Sequence, residues 1–397
     1  MLNVSERLAA LSPSETLAMS QKSSELKAQG IDVINLSVGE PDFNTPDHIK
    51  EAAKRAIDEN YSFYSPVPGY LSLRQAIVDK LKNENSLDYT PAQIVCSNGA
   101  KQAVCNVLLA TINPGDEVIV PTPAWVSYFE MVKLAGGVNV PVNADIRQNF
   151  KISAAQLEAA ITPRTRAIIL CSPSNPTGSV YSCAELEALA AVLERYPDIL
   201  ILSDEIYEHI NYTGLHESIA QFDAVRNRTV VINGVSKAYA MTGWRLGWIA
   251  APQWIAAACN KLQGQYTSGP SSIAQKAAEA AYRGSQQCVA DMRVAFRRRR
   301  DLIVDLAREI PNLKVNVPEG AFYIFPDCNA YIGRNFGSRK INNSADLAMY
   351  LLEEGHVASV GGLAFGAPDC IRFSYATADD QIKEAMSRVK NALSALK

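Results

Sequence analysis

The sequence predicts an α/β fold in which a large, mostly parallel sheet is flanked by helices and a smaller α+β domain is formed by both chain ends. Short apolar runs rich in Val, Ile and Leu recur through the middle of the 397-residue chain, with little of the alternation typical of a solvent-facing strand. Helical patterns separate these runs, and that order is typical of parallel sheets. Beyond about Arg283 the pattern changes to one long amphipathic helix and several short strands.

Six buried strands account for the large sheet. They are predicted at residues 93–96, 117–120, 167–171, 199–202, 229–232 and 246–250. Between the third and the fourth, Leu186, Leu189 and Leu193 recur at helical spacing and predict a helix over residues 183–196. These elements together predict a large domain over residues 46–282.

The smaller domain is predicted to combine residues 1–45 and 283–397. Its elements are helices at 289–309, 344–354 and 379–396 and strands at 314–317, 321–325 and 371–375. The first 45 residues contain Pro13, Gly39 and Pro41 and are too irregular to begin the sheet. We therefore expect them to pack on the smaller domain.

Composition excludes several classes of protein. A hydrophobic fraction of 48% is too high for a disordered chain, and a net charge of −3 gives no reason to expect a nucleic-acid partner. Four consecutive arginines at 297–300 are expected to form a solvated helix face. No run approaches the roughly 18 apolar residues of a membrane span, and Glu6 and Arg7 precede any apolar run, so we expect no membrane anchor and no signal peptide.

Cysteine and histidine usage indicates a reduced, metal-free protein. The eight cysteines are scattered without a C-x-x-C pair, which favours a cytoplasmic location. The four histidines show no metal-ligand spacing, so no metal site is predicted.

Polar clusters follow four of the predicted strands. They occupy residues 97–101, 172–178, 203–207 and 233–237. Because ligands in open α/β sheets bind outside the carboxyl ends of the strands, these clusters predict a binding site at one edge of the sheet.

Lys237 is the candidate nucleophile at that edge. A lysine at the end of a buried strand can have its pKa lowered by desolvation and act through its neutral amine. Arg245, eight residues further on, is placed to hold an anion near that amine.

The run Gly234-Val235-Ser236-Lys237, followed by Arg245-Leu246-Gly247, resembles the pyridoxal-phosphate attachment motif of class I aminotransferases. The similarity extends over almost the whole chain. The turn at 174–178, the run at 203–207 and Arg372 occur in the order of the family and at its approximate spacings. The chain is most similar to bacterial aspartate aminotransferases.

The resemblance implies pyridoxal 5′-phosphate as cofactor and three catalytic residues. Lys237 would attach the cofactor and later carry the substrate Cα proton, and Asp204 would keep the pyridine nitrogen protonated. Tyr207 would hydrogen-bond the phenolic oxygen of the ring, together with Asn175. Trp125 would stack on the ring.

The resemblance also implies a phosphate site. Its donors would be Gly99, Ala100 and Lys101 at the start of a helix over 101–110, together with Ser236 and Arg245. Tyr64 resembles the tyrosine that the family supplies from the second subunit, which implies a homodimer with shared active sites. The chain departs from many relatives at Gly234, where they carry a serine, so that one hydroxyl donor is lost.

Two carboxylate sites are implied for the substrate. Arg372 would bind the α-carboxylate, and the backbone at Gly39 would close over it, whereas Trp125 and Asn175 would also contact substrate. The stretch 265–270 contains no arginine for a distal carboxylate. Lys101, Ser14 and Thr16 match a second arrangement and are predicted to bind it.

The implied reaction is a ping-pong transamination, L-aspartate with 2-oxoglutarate giving oxaloacetate and L-glutamate. Two alternatives keep the cofactor, namely an aminotransferase for prephenate or for aromatic or neutral amino acids, and a β-lyase. A third alternative, a regulator built on the same fold, needs a helix-turn-helix domain ahead of the sheet, for which about 45 residues leave no room.

Overall fold

A computed structural model describes residues 4–397 of the chain. The strands are β1 (Ile34–Asn35), β2 (Ile94–Ser97), β3 (Glu117–Thr122), β4 (Val138–Asn143), β5 (Thr165–Cys171), β6 (Leu200–Asp204), β7 (Thr229–Gly234), β8 (Gly247–Ala250), β9 (Tyr323–Ile324), β10 (Asn335–Phe336), β11 (Arg339–Lys340), β12 (Val357–Ala358), β13 (Val360–Gly361) and β14 (Ile371–Ser374). The helices are α1 (Glu6–Ala9), α2 (Glu15–Ala28), α3 (Asp47–Asp58), α4 (Leu71–Asn85), α5 (Ala100–Thr111), α6 (Val126–Leu134), α7 (Ala154–Ala160), α8 (Cys183–Glu194), α9 (Asp223–Arg226), α10 (Gln253–Tyr266), α11 (Ser272–Arg283), α12 (Gln287–Arg308), α13 (Ser344–Glu353) and α14 (Asp379–Ser394).

Seven strands form the large sheet in the order β2-β8-β7-β6-β5-β3-β4. The five strands from β7 to β4 are parallel, whereas β8 is antiparallel to both of its neighbours. Successive residues of β6 pack on opposite faces: Leu202 lies in a cluster with α5, α6 and α10, and Ile201 in one with α7 and α8. The prediction of a mostly parallel sheet flanked by helices is confirmed.

The two-residue strands β1, β10, β11, β12 and β13 were not predicted, and two longer stretches also differ from the strand predictions. The edge strand β4 was not predicted, because its sequence VNVPVN is half-exposed and contains Pro141, which is tolerated at a sheet edge. The strand predicted at 314–317 is wrong, because that stretch contributes one isolated bridge from Lys314 to Asp327.

A second, three-stranded antiparallel sheet has the order β13-β14-β9. Beside it, β1 pairs in parallel with β12, which joins the start of the chain to its end. Met19, Val33 and Leu36 share a hydrophobic cluster with residues of α12, α13 and α14. The predicted domain bounds, 46–282 against 1–45 with 283–397, stay a prediction.

The expectation of a solvated arginine face on α12 is wrong for two of the four side chains. Arg299 is 7% exposed and donates to both oxygens of Asp42, at 2.7 and 2.9 Å. Arg300 is 9% exposed and donates to Pro318 O at 2.8 Å. Bidentate pairing and backbone acceptors make their burial tolerable.

Within residues 4–397, no helix combines the length and the apolarity that crossing a bilayer requires.

Candidate active site

A cavity of about 290 Å³ lies at the carboxyl ends of the central parallel strands. Most of the predicted site residues meet there. Those that line the cavity are Ser14, Thr16, Gly39, Ala100, Lys101, Trp125, Asn175, Asp204, Tyr207, Ser236, Lys237, Arg245 and Arg372.

Lys237 follows β7 after a short turn and is buried. Its Nζ donates a hydrogen bond of 2.6 Å to Gly39 O. Burial lowers the pKa of the amine to about 8, although the nearby Glu40 carboxylate opposes the shift. A neutral amine is therefore accessible near physiological pH.

Asp204 is the last residue of β6 and is 3% exposed. Burial raises the pKa of its carboxyl to about 6. Two hydrogen bonds oppose that shift: Tyr128 Oη donates to Oδ2 at 2.6 Å, and Ile206 N donates to Oδ1 at 3.2 Å. At pH 7 the carboxyl is thus mostly ionised.

Arg372 lies in the middle of β14 and is 1% exposed. Its Nη1 donates to Asn175 Oδ1 at 2.9 Å and its Nη2 to Ser37 O at 2.6 Å. Its Nε is buried and has no hydrogen-bond partner among residues 4–397. A guanidinium that lines a cavity is suited to bind an anion.

Tyr207 is held by a second tyrosine. The Tyr207 and Tyr323 hydroxyls are 2.8 Å apart. Burial, with Tyr323 next in importance, raises the pKa of Tyr207 well above its usual value, so the hydroxyl keeps its proton.

The start of α5 and Arg245 form a cationic cradle. Gly99 precedes the helix with φ +86°, and a Cβ there would lie 2.4 Å from Arg245 Nη2. The guanidinium is held by Thr242 O at 2.9 Å and Asn98 O at 3.2 Å. Free amides at a helix start and a guanidinium together suit a phosphate. Gly99 does not itself line the cavity.

Trp125 lies immediately before α6, and Tyr128 lies one turn further on. Their rings meet edge to face, with centroids 5.3 Å apart. Lys101 Nζ lies 5.0 Å from the Trp125 ring centroid, and burial followed by the charge of Arg245 lowers the pKa of this lysine.

The N-terminal segment reaches the cavity through the first turn of α2. Ser14 precedes that helix, and its hydroxyl does not cap it. Ser14 and Thr16 therefore lie where their hydroxyls can contact a ligand beside Lys101.

Tyr64, unlike Gly99 beside the cavity, is a predicted site residue that lies away from it on the surface. It is 97% exposed and does not line the cavity of its own chain. A tyrosine that serves the partner subunit has to project from its own subunit, so this position is compatible with the predicted role.

Behind the cavity, Glu205 and Glu208 enter a polar cluster. Glu208 forms an ion pair with Lys80 and accepts from Asn233 Nδ2 at 2.9 Å, and Glu205 accepts from His216 Nε2 at 2.9 Å. Lys80 neutralises the charge of Glu208. Both Glu205 and Glu208 accept hydrogen bonds from side chains inside the protein. The prediction of no metal site remains untested.

Sequence reasoning did not single out Tyr128, Tyr323, Cys171 and Thr242, which also line the cavity. Tyr128 could have been found, because it lies three residues after Trp125 on one helix face. Tyr323 lies in a predicted strand, but only the tertiary fold brings it to Tyr207.

A family profile described as "Aminotransferase class I and II" matches residues 31–389. The chain belongs to the class I and II aminotransferases. The resemblance seen in the sequence is thereby confirmed, and the protein is an enzyme that transfers amino groups.

Two relatives of this aminotransferase are similar to it over nearly their whole length. An aspartate/prephenate aminotransferase of Nitrosomonas europaea is 48% identical over 99% of this chain and 100% of its own. One of Cereibacter sphaeroides is 49% identical over 98% of both chains.

Solved structures agree with the fold of this aminotransferase. The aspartate aminotransferase of Rhizobium meliloti superposes with a TM-score of 0.96 at 42% identity, covering 100% of both chains. That of Thermus thermophilus with maleate gives 0.92 at 40% identity, covering 99% of this chain and 100% of its own.

Proposed function

We propose that this aminotransferase uses pyridoxal 5′-phosphate to transfer the amino group of L-aspartate to 2-oxoglutarate, giving oxaloacetate and L-glutamate by a ping-pong mechanism. The observation that carries the proposal is the shared cavity of Lys237, Asp204, Arg245 and Arg372. It combines an amine of lowered pKa, a carboxylate and two cations suited to anionic groups.

The residues of the cavity fit this cofactor. Arg245 and the start of α5 supply donors for its phosphate, and Ser236 adds a hydroxyl at the cavity wall. Asp204 would face the ring nitrogen, Tyr207 and Asn175 its phenolic oxygen, and Trp125 its face. When bound, pyridoxal phosphate supplies an electron sink for the bond that breaks at the substrate Cα.

Lys237 is proposed to move the proton. Its Nζ lies in a buried site where the neutral form is accessible, so it can take the Cα proton of a bound amino acid. Asp204 holds a negative charge at the back of the cavity, and Tyr128 and Ile206 stabilise that charge by donating to both carboxylate oxygens.

The substrate is proposed to bind through both carboxylates. The Arg372 guanidinium at the cavity wall supports a contact with the α-carboxylate. Lys101, Ser14 and Thr16 at the other wall support a contact with the distal carboxylate. The names of the relatives contain aspartate, and the Thermus thermophilus enzyme is described with maleate, a dicarboxylate.

Prephenate is the second candidate substrate. The relatives of Nitrosomonas europaea and Cereibacter sphaeroides are named for aspartate and prephenate together. Prephenate also carries two carboxylates, so the same cationic groups could hold it.

We also propose a cytoplasmic homodimer with shared active sites. The exposed Tyr64 ring supports a contribution to the partner subunit, and eight free cysteines support a reducing compartment.

The test mixes purified enzyme with L-aspartate and 2-oxoglutarate. Formation of oxaloacetate and L-glutamate in equal amounts is the expected result, and prephenate in place of 2-oxoglutarate tests the second candidate. Release of ammonia without L-glutamate would instead identify a β-lyase. A Lys237→Ala variant is the control and should lack both turnover and the part of the visible absorbance that arises from covalent attachment of the cofactor to Lys237.

A further inference from the structure

We infer that Tyr323 is a positioning residue that couples the α-carboxylate site at Arg372 to the hydroxyl of Tyr207. This inference rests on the proposed function and extends it to a side chain outside the motifs of the sequence. It follows from three contacts that Tyr323 makes with separate parts of the cavity wall.

The first contact is with Arg372. Strand β9 carries Tyr323 and pairs antiparallel with β14, where Ser374 is the direct partner of Tyr323. Arg372 precedes Ser374 by two residues and is thus a diagonal neighbour on the same face. The guanidinium carbon of Arg372 lies 4.6 Å from the Tyr323 ring centroid, so the two groups form a cation–π contact.

The second contact is the hydroxyl pair with Tyr207. Each phenol carries one proton, so only one of the two can donate across the 2.8 Å between them. If Tyr207 donates to a ligand oxyanion, Tyr323 has to donate to Tyr207. The pair then forms a directed chain, and each bond in such a chain strengthens the next.

The third contact is with the N-terminal segment. A Cβ at Gly39 would lie 2.4 Å from Tyr323 Oη, so only glycine lets the backbone lie against this hydroxyl. Gly39 O accepts from Lys237, and Ser37 O accepts from Arg372. Tyr323 therefore also supports the backbone that positions the amine.

The burial of Tyr323 is complete, at 0% exposure. The titratable and charged groups that face the hydroxyl pair are Arg372 from β14, the Cys171 thiol from β5 and the Lys237 amine. Arg372 donates to Asn175 and Ser37, Cys171 to Pro173 O and Lys237 to Gly39 O. Removal of the Tyr323 hydroxyl therefore takes away the side-chain hydrogen bond that holds the Tyr207 hydroxyl among the described residues.

The experiment compares two variants of the enzyme loaded with pyridoxal phosphate. Tyr323→Phe keeps the ring under Arg372 and removes the hydroxyl, whereas Tyr323→Leu removes both. Tyr350→Phe is the matched control, because Tyr350 is equally buried and its hydroxyl donates to Ala392 O at 2.8 Å, outside the cavity. The readouts are the midpoint pH of the visible absorbance change, the Kd of the cofactor and the Kd of maleate by calorimetry.

For Tyr323→Phe we expect the spectral midpoint to rise by about 0.3–1 pH unit and the cofactor Kd to rise about two- to tenfold, as for one lost hydrogen bond. The midpoint should rise because Tyr207, without the Tyr323 hydroxyl, would be a weaker donor to the phenolic oxygen of the cofactor. The phenolic oxygen would then keep more negative charge, which would favour the protonated form of the Lys237 nitrogen. Maleate Kd should stay within about twofold of wild type. For Tyr323→Leu, maleate Kd should also rise about two- to thirtyfold, since the cation–π contact is lost.

A Tyr323→Phe midpoint equal to those of wild type and Tyr350→Phe would overturn the inference. Unchanged maleate binding in Tyr323→Leu would overturn it as well, and if that variant does not fold, Tyr323→Phe decides alone. A wild-type enzyme that shows no visible band on loading would contradict the proposed function itself.

Discussion

At the scale of single residues, the cavity is organised by two ionisable groups whose pKa values are shifted by burial in opposite senses. Desolvation disfavours the charged form of each group. The pKa of the Lys237 amine is therefore lowered to about 8, and the pKa of the Asp204 carboxyl is raised to about 6. Near neutral pH, Asp204 is mostly ionised and a usable fraction of Lys237 is neutral. The proposed chemistry needs both of these forms.

The shifted pKa of Lys237 predicts how the rate of binding of the proposed cofactor depends on pH. Only the neutral amine attacks an aldehyde, so the capture rate should rise with pH, with a midpoint near 8, and then level off. Stopped-flow absorbance after mixing apoenzyme with pyridoxal phosphate measures this rate. A midpoint near 10.5, the ordinary lysine value, would contradict the burial argument.

Asp204→Asn should separate stability from activity. The native pKa of about 6 lies above the ordinary value of 3.8 for an aspartic acid carboxyl, so ionised Asp204 destabilises the native state once the pH exceeds both values. The apo variant should then be about 1–3 kcal/mol more stable to urea than wild type at pH 8, with the difference vanishing near pH 4. Turnover should fall about 10²–10³-fold, as for loss of one electrostatic partner. Equal stability at both pH values would count against the buried-carboxylate argument.

At the scale of elements, glycines set the distance between the large sheet and the cationic cradle formed by the start of α5 and Arg245. Gly234 of β7 and Gly247 of β8 are direct partners, and a Cβ on Gly234 would lie 2.7 Å from Gly247 Cα. A Cβ on Gly247 would lie 2.2 Å from Ala100 N. Glycine at 234 thus lets β7 and β8 approach closely at this pair.

Gly247→Ala should push the start of α5 away from Arg245. We expect destabilisation of about 1–3 kcal/mol and a clear rise in the Kd of pyridoxal phosphate, because overpacking displaces backbone. Gly264→Ala is the control, since its Cβ would meet only Val67 side-chain atoms at 3.7 and 3.9 Å. Thermal unfolding of the apoenzyme and equilibrium dialysis of the cofactor measure the two effects. If both variants bind the cofactor equally, the glycine contact does not position α5.

A substitution at Lys101 tests whether α5 contributes to the proposed binding of the distal carboxylate together with the start of α2. Lys101→Ala should lower kcat/KM for L-aspartate about tenfold or more, because a charge-assisted bond contributes about 1.5–3 kcal/mol. The half-reaction with L-alanine, which has no distal carboxylate, is the control and should change little. An aspartate kcat/KM within about twofold of wild type would remove Lys101 from the specificity site.

The sequence was sufficient for the central strands and for the residues that end them, because apolar runs and polar strand ends are local signals. It was insufficient where burial depends on distant partners. Arg299 is buried because Asp42, more than 250 positions away, neutralises it. Tyr323 joins the site through strand pairing, and β4 is stabilised by its neighbour β3 despite Pro141.

At the scale of the whole molecule, the cavity wall draws on the entire chain, from Ser14 to Arg372. One exposed feature extends this to a second copy: Phe63 and Tyr64 are 80% and 97% exposed side by side. Large adjacent aromatic rings are costly to leave in water, which favours their burial in the proposed homodimer.

Sedimentation should therefore give a dimer, and subunit mixing should show that Tyr64 acts across it. Tyr64→Ala and Lys237→Ala homodimers are each expected to bind pyridoxal phosphate weakly. In a heterodimer, one site combines an intact Lys237 with an intact Tyr64 of the other chain, so wild-type affinity should reappear in part of the mixture. Mixing without any such recovery would show that Tyr64 does not serve the partner subunit.

The parallel pairing of β1 with β12 has a consequence for biosynthesis. Ile34 of β1 is aligned with Val357 of β12, so more than 300 further residues must be translated before β1 can pair with β12. The backbone at Ser37 and Gly39 then reaches Arg372 and Lys237 only after nearly the whole polypeptide has left the ribosome. A nascent chain that ends before β12 thus lacks both the strand that pairs with β1 and the Arg372 side chain that donates to Ser37 O.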